Sequence, residues 1–255
     1  MNLNFFQNKS TFYNDYKNYK TIIPNFQKKS LQIPKTIHLT HYDKNCIPKK
    51  VWENLNKFAP DYLIKYYSDK ECITFLKQNY SNEIVSIFKN LSTGPHKADL
   101  FRYCLLYKVG GIYLDIKIVP IIQLNTIFNH IKNNLLYTVL SRSHIFQGII
   151  ASYPSNEIFV DLITDFFNLG HKYFSINMHA GYLEYHYFTK RFYIHLQNRM
   201  KLNVGENFYS DQSVILFQEK EKQINNEKKD RYGYWNIFNN SNQRIFKSRY
   251  NDYPW

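Results

Sequence analysis

Carboxylates are scarce in this chain. Twenty Asp and Glu stand against 33 Lys and Arg, a formal charge of +13, which points to an anionic partner: nucleic acid, a membrane surface or a phosphorylated small molecule. Cysteine is thin as well. Cys46, Cys72 and Cys104 are odd in number, scattered and in no C-x-x-C pair, which argues against both a disulfide framework and a zinc knuckle. No stretch reaches the roughly 18 apolar residues of a membrane span, and the opening "MNLNFFQNKSTFYNDYKNYK" lacks an apolar core of signal-peptide length, so a soluble, cytoplasmic protein is expected. Walker A, G-x-S-x-G, H-E-x-x-H and G-x-G-x-x-G patterns are all missing. Aromatics are plentiful, with 23 Tyr and 20 Phe. Together with many Asn, Ile and Lys they read in part as the codon bias of an AT-rich gene.

Residues 1–30 are polar and basic without periodicity and read as an arm, leaving 31–255 as one domain. "IPKTIHLT", "DYLIKYYSD", "GIYLDIKIV", "LLYTVLSR", "FQGIIASYP" and "SVILFQE" read as strands. "KKVWENLNKFAP", "KECITFLKQNY", "SNEIVSIFKNL", "GPHKADLFRYCLLYKV", "NEIFVDLITDFFNL" and "AGYLEYHYFTKRFYIHLQNRM" read as helices. Pro95 suits a helix start and Gly110 its stop. The run "KEKQINNEKKDR" reads as a solvated loop, and the C-terminal stretch as a hairpin turning at "NNSN". Strand, helix, strand at the outset predicts an α/β fold with a parallel sheet.

Chemistry concentrates near residue 100. At about 100° per residue, Ala98, Phe101, Leu105 and Val109 share a face, with Asp99 and Arg102 beside them and one turn apart, able to pair. A buried structural ion pair is the plain alternative. In the following strand, alternation puts Asp115 and Lys117 on one face, about 6.6 Å apart. A strand buried on both faces does not carry two charges, so its C-terminal end is either an exposed edge or the mouth of a ligand crevice. His179 and His186 are spaced two helical turns apart among aromatics and read as core. Gln147, opening "QGIIASYP", reads as a residue meeting an acceptor or as a structural turn.

The ordered set "IPKTIH", "KADLFR" and "GGIYLD" resembles the DXD-motif sugar transferases of glycosyltransferase family 32, the group of yeast-type initiating α-1,6-mannosyltransferases and inositol-phosphoceramide mannosyltransferases. It is distantly similar to the glucosyltransferase domains of clostridial toxins. The resemblance covers roughly residues 33–155. It implies the GT-A fold, a Rossmann-like, mostly parallel central sheet with helices on both faces, here with a C-terminal hairpin and tail. It also implies a retaining enzyme that moves a hexose from GDP-mannose, UDP-glucose or UDP-galactose to a hydroxyl on a glycan, lipid or protein. By that resemblance Asp99, Arg102 and Asp115 are catalytic. Ile37, His38 and Tyr113 join them around the donor by the same resemblance; from the residues themselves, Lys117 and, in a tail "NDYPW" expected to close as a lid, Trp255 are placed at the donor, with Tyr253 and Gln147 as the candidates on the acceptor side.

The resemblance breaks at His41, where an aromatic residue often follows the I-H pair by three, and more consequentially at the DXD itself. The second DXD carboxylate is Lys117, and the Mn²⁺ or Mg²⁺ that such a pair holds is left with Asp115 and, from the C-terminal tail, Asp252. Lys117 then replaces the metal charge, or turns away while Asp115 holds the metal with ligands outside the D-x-D spacing, or neutralises Asp115 in an inactive sugar-nucleotide binder. The second arrangement is the one expected here. A nucleic-acid-binding protein is a further alternative, resting on charge and aromatics.

Overall fold

The structure is a computed structural model that describes residues 23–24, 32–91, 93–128, 135–173, 187–224 and 235–248. Among the described residues ten strands form one sheet: β1 (Thr36–Thr40), β2 (Leu63–Tyr67), β3 (Gly111–Leu114), β4 (Ile118–Pro120), β5 (Leu135–Ser141), β6 (His144–Ser152), β7 (Gly205–Tyr209), β8 (Gln212–Glu221), β9 (Trp235–Phe238) and β10 (Arg244–Ser248). Their order is β2-β1-β3-β6-β5-β8-β9-β10-β4, with β7 also on β8. Parallel pairing joins β1 to β2 and β3, and β5 to β8, whereas β6, β9, β4 and β7 pair antiparallel. Tracing these pairings, β1, β2, β3, β5, β8 and β10 run in one direction. The α/β class expected from the sequence is the one the chain adopts.

Helices α1 (Lys49–Phe58), α2 (Asp69–Asn79), α3 (Asn82–Asn90), α4 (Gly94–Val109), α5 (Leu124–Ile127), α6 (Ile158–Tyr173) and α7 (Tyr187–Gln197) flank the sheet. Local signals set several boundaries. Ser68 and Glu71 form a reciprocal capping box that starts α2, and Pro95 lies in the first turn of α4. β3 alternates between two cores, as a strand buried on both faces must. Tyr113 enters a core built with α2, α3, α4, α6 and α7, while Ile112 and Leu114 enter a second one with α1 and α5. β8 does the same, Val214 and Leu216 facing the first core and Ile215 and Phe217 the second. Ile23, within the expected arm, is buried in the first core.

α7 is tied to α6 by charge as well as by rings. Arg191 donates from Nε to Asp165 Oδ2 (3.0 Å) and from Nη2 to Oδ1 (2.7 Å), His195 Nε2 lies 2.7 Å from Asp165 Oδ2, and Arg199 bonds Asp161. The bidentate pair fixes the helices' relative position more tightly than a point charge would.

Three expectations need correcting. The strand expected from Gly111 through Val119 breaks after Leu114, because Ile118 N–H bonds Asp115 O (2.9 Å) and turns the chain at Ile116 and Lys117 into β4, which pairs with β10. Asp115 and Lys117 therefore do not share a strand face. α4 is buried almost all round, from Asp99 to Tyr107, while Val109 from the expected inward face is 38% exposed. The helix lies between sheet and outer helices, so periodicity understates its burial. β8 also runs on to Glu221, into the charged run read as a loop. The hairpin of β9 and β10 turns where it was expected.

Candidate functional site

The double glycine seats one helix against the sheet. Gly110 caps α4 at φ +63°, and Gly111 opens β3 at φ +102°. A Cβ at Gly110 would stand 2.7 Å from Pro154 N and 2.8 Å from Ser152 O, and one at Gly111 would stand 2.7 Å from His38 Nε2 and 2.8 Å from Thr36 O. Only glycine accepts both the dihedral and the contact. The chain then doubles back, so that Arg102 of α4 lies beside Asp115 at the end of β3.

Arg102 is the hub. Its Nε donates to Ala98 O (3.1 Å) and its Nη1 to Gln147 O, while Nη2 lies 3.3 Å from Asp99 Oδ1 and 3.4 Å from Asp115 Oδ1. The guanidinium carbon sits 4.4 Å from the centre of the Tyr113 ring. Burial opposes its charge, but Tyr113, Asp115 and Asp99 outweigh burial and hold its pKa above the ordinary value. Burial pushes the Asp99 carboxyl up to about 6, against the pull of Arg102 and His96. Asp115 is the member that reaches solvent, with its side chain 30% exposed.

The rest of the expected set divides clearly. Tyr113 is buried with its hydroxyl 2.6 Å from Thr40 Oγ1, and burial raises its pKa, so the phenol stays neutral. Lys117 is half-buried in the turn after Asp115. Burial lowers its pKa, and the charge of Asp115 pulls it back up. Gln147 is buried too: Tyr103 donates to its Oε1 (2.6 Å), and its Nε2 has no hydrogen-bond partner. Ile37 is wholly buried in the second core, away from this cluster. His38 is 1% exposed, its Nε2 3.1 Å from Gly110 O and its Nδ1 3.3 Å from the Tyr67 hydroxyl. Burial pushes its pKa down to about 4, so it is a neutral brace for the double glycine. Asp252, Tyr253 and Trp255 lie outside the described residues, as do His179 and His186.

Residues 48–134, which contain both "ADLFR" and "GGIYLDIK", match the family described as the glycosyltransferase sugar-binding region containing DXD motif. That stretch makes up about a third of the chain. Over 97 residues this chain is 33% identical to inositol phosphoceramide mannosyltransferase 3 of Schizosaccharomyces pombe, covering 36% of this chain and 26% of that protein. It is 33% identical over 85 residues to the initiation-specific alpha-1,6-mannosyltransferase of Candida albicans, 30% of this chain and 21% of that one. The matched stretch thus spans about a quarter of these relatives' length. A solved PaToxG glycosyltransferase superposes with a TM-score of 0.46 at 15% identity, over 73% of this chain and 74% of that one. Among the described residues no helix is long and apolar enough to cross a membrane.

Within the matched stretch the motif reads Asp115-Ile116-Lys117, and among the described residues, which leave out Asp252, the donor set around it does not suit a divalent cation. Among the described residues no three His, Cys, Asp or Glu side chains gather into a set that could hold a metal. Asp115 faces Arg102 at 3.4 Å, and Lys117 follows it two residues on. A carboxylate flanked by two cations attracts a third weakly. The sequence did not reveal Thr40, Tyr67 or the Gln147 carbonyl as supports of the cluster, because each acts across more than 25 residues of chain through a single hydrogen bond.

Proposed function

We propose that this site binds a nucleotide-diphosphate hexose and transfers the sugar to a hydroxyl acceptor, with retention at the anomeric carbon. The observation that carries the reading is the convergence of Asp99, Arg102 and Asp115 at the C-terminal end of β3, inside the matched sugar-binding region. In an α/β sheet this is where strand ends leave a crevice for a ligand.

Each residue has a definite part in this reading. Arg102, clamped by two backbone carbonyls, presents a fixed positive charge that needs no reorganisation when charge grows on a departing diphosphate. Asp115, partly exposed, accepts hydrogen bonds from sugar hydroxyls, and Asp99 holds the Arg102 fork in place. The buried Tyr113 ring backs the guanidinium. Retention by front-face attack lets the departing phosphate take the acceptor proton, so the site requires no protein nucleophile. The names of the matched relatives favour a mannosyl donor, GDP-mannose, ahead of UDP-glucose or UDP-galactose. The acceptor is a hydroxyl on a glycan, lipid or protein.

The test is release of nucleoside diphosphate from the three donors by the purified chain, with and without simple sugar and inositol-containing acceptors, followed by NMR of the product's anomeric proton. Turnover of no donor, with tight binding of one, supports the second reading that Lys117 suggests, a catalytically inactive sugar-nucleotide binder. Binding of none, with salt-dependent binding of RNA or DNA, overturns both.

A further inference from the structure

The pair Asp115 and Lys117 carries a balance of charge that neither residue shows alone. Where a DXD motif has a second carboxylate, this chain has an ammonium, and that exchange raises the local charge by two units, the charge of one divalent cation. The cluster of Asp99, Asp115, Arg102 and Lys117 has two residues of each sign. With an aspartate at 117 the same cluster would be short of positive charge by about what a divalent ion supplies.

The geometry shows why a cation would gain little here. The Asp115 carboxylate is engaged on one side by Arg102 Nη2 at 3.4 Å, the nitrogen that also holds Asp99 Oδ1 at 3.3 Å. On the other side stands Gly148, where a Cβ would be 3.2 Å from Asp115 Oδ2 and 2.6 Å from the Phe146 ring. Protein thus borders the carboxylate on two sides while its side chain stays 30% exposed, and the next charged residue along the chain, Lys117, is positive. Lys117 sits in a turn pinned by the Ile118 N–H to Asp115 O bond, between β3 and β4, and the charge of Asp115 acts on it. Its partial burial removes water that would screen it from a bound anion.

We infer that in this chain Lys117, together with Arg102, supplies the positive charge that holds a nucleoside diphosphate, so that donor binding proceeds without a divalent cation. This rests on the reading of the site as a sugar-nucleotide site. Chemically, the C1–O bond to the diphosphate breaks with its electron pair leaving on the phosphate oxygen. Lys117 and Arg102 meet that charge, the acceptor oxygen bonds C1, and its proton passes to the departing phosphate.

Isothermal titration with GDP, UDP and their mannose, glucose and galactose derivatives, in excess EDTA and in Mn²⁺, tests the inference without relying on turnover. Wild type should bind one nucleotide with an affinity that agrees within about twofold between the two buffers. Lys117→Asp should bind at least about tenfold more weakly in EDTA and recover in Mn²⁺, because it rebuilds the carboxylate pair. Lys117→Met should weaken binding in both buffers with no recovery, and serves if the Asp variant does not fold. Wild-type binding in Mn²⁺ alone, or an unaltered affinity in Lys117→Met, overturns the inference and leaves the site reading intact. Wild-type binding in neither buffer overturns the site reading and the inference with it.

Discussion

Replacing Asp99 with Asn gives a signed test of the buried cluster. Burial, opposed by Arg102, pushes this carboxyl up to about 6 from an ordinary 3.8. On acidification the folded protein takes up its proton near pH 6, whereas the unfolded chain waits until near pH 4. Within that window the folded state binds more protons, so Asp99 costs stability at neutral pH and returns it as pH falls. The displacement is worth about 3 kcal/mol in full, of which about 1 kcal/mol is regained between pH 7.5 and pH 5. His38 works the other way. Its pKa falls from 6.5 to about 4 through burial, so its contribution is present above pH 6.5 and is lost as pH falls toward 4. A raw stability curve mixes the two. Urea unfolding of wild type and Asp99→Asn at stepped pH separates them, since His38 is common to both proteins. The wild-type advantage should grow by about 1 kcal/mol from pH 7.5 to pH 5. Parallel curves would refute the assignment of a high-pKa carboxyl to Asp99, and an advantage that shrinks would reverse its sign.

Other substitutions separate site from scaffold. Asp115→Ala should abolish donor turnover and leave the melting temperature within about 2 °C, since its side chain reaches solvent; unfolding or full activity contradicts that placement. Arg102→Lys keeps the charge but loses the fork that reaches Ala98 O and Gln147 O. Donor affinity should drop at least about tenfold by calorimetry while stability falls by about 1–3 kcal/mol, and loss of stability alone would mark a structural ion pair. Gly111→Ala should cost at least about 2 kcal/mol in denaturant, from positive φ and the His38 contact together; a smaller loss means that β1 yields.

Much of this arrangement was legible from the chain itself. Pro95 and Gly110 bracketed α4 correctly because a ring-fixed φ and a left-handed cap are properties of single residues. The three-residue spacing of Asp99 and Arg102 set their pairing for the same local reason. The break in the strand after Leu114 was not legible, since "LDIKIV" alternates well enough to continue, and only pairing of β4 with the distant β10 ends it. β7 was overlooked: "GENFY" is half exposed and gains its identity from β8. Nor did any periodicity announce that Ile37 and His38 would be interior. Their burial comes from β2 and β3 closing on either side of β1.

The Arg102 hub also bears on how such a sequence can drift over generations. Its fork joins two carboxylates from two elements to two backbone carbonyls, so loss of the arginine strands both carboxylates, and loss of Asp99 leaves an interior cation with less to hold it. Substitutions at 99, 102 and 115 are therefore expected to be coupled, the effect of one depending on the state of the others. Position 117 stands in the turn between β3 and β4. An exchange of carboxylate for ammonium there leaves the interior as it is.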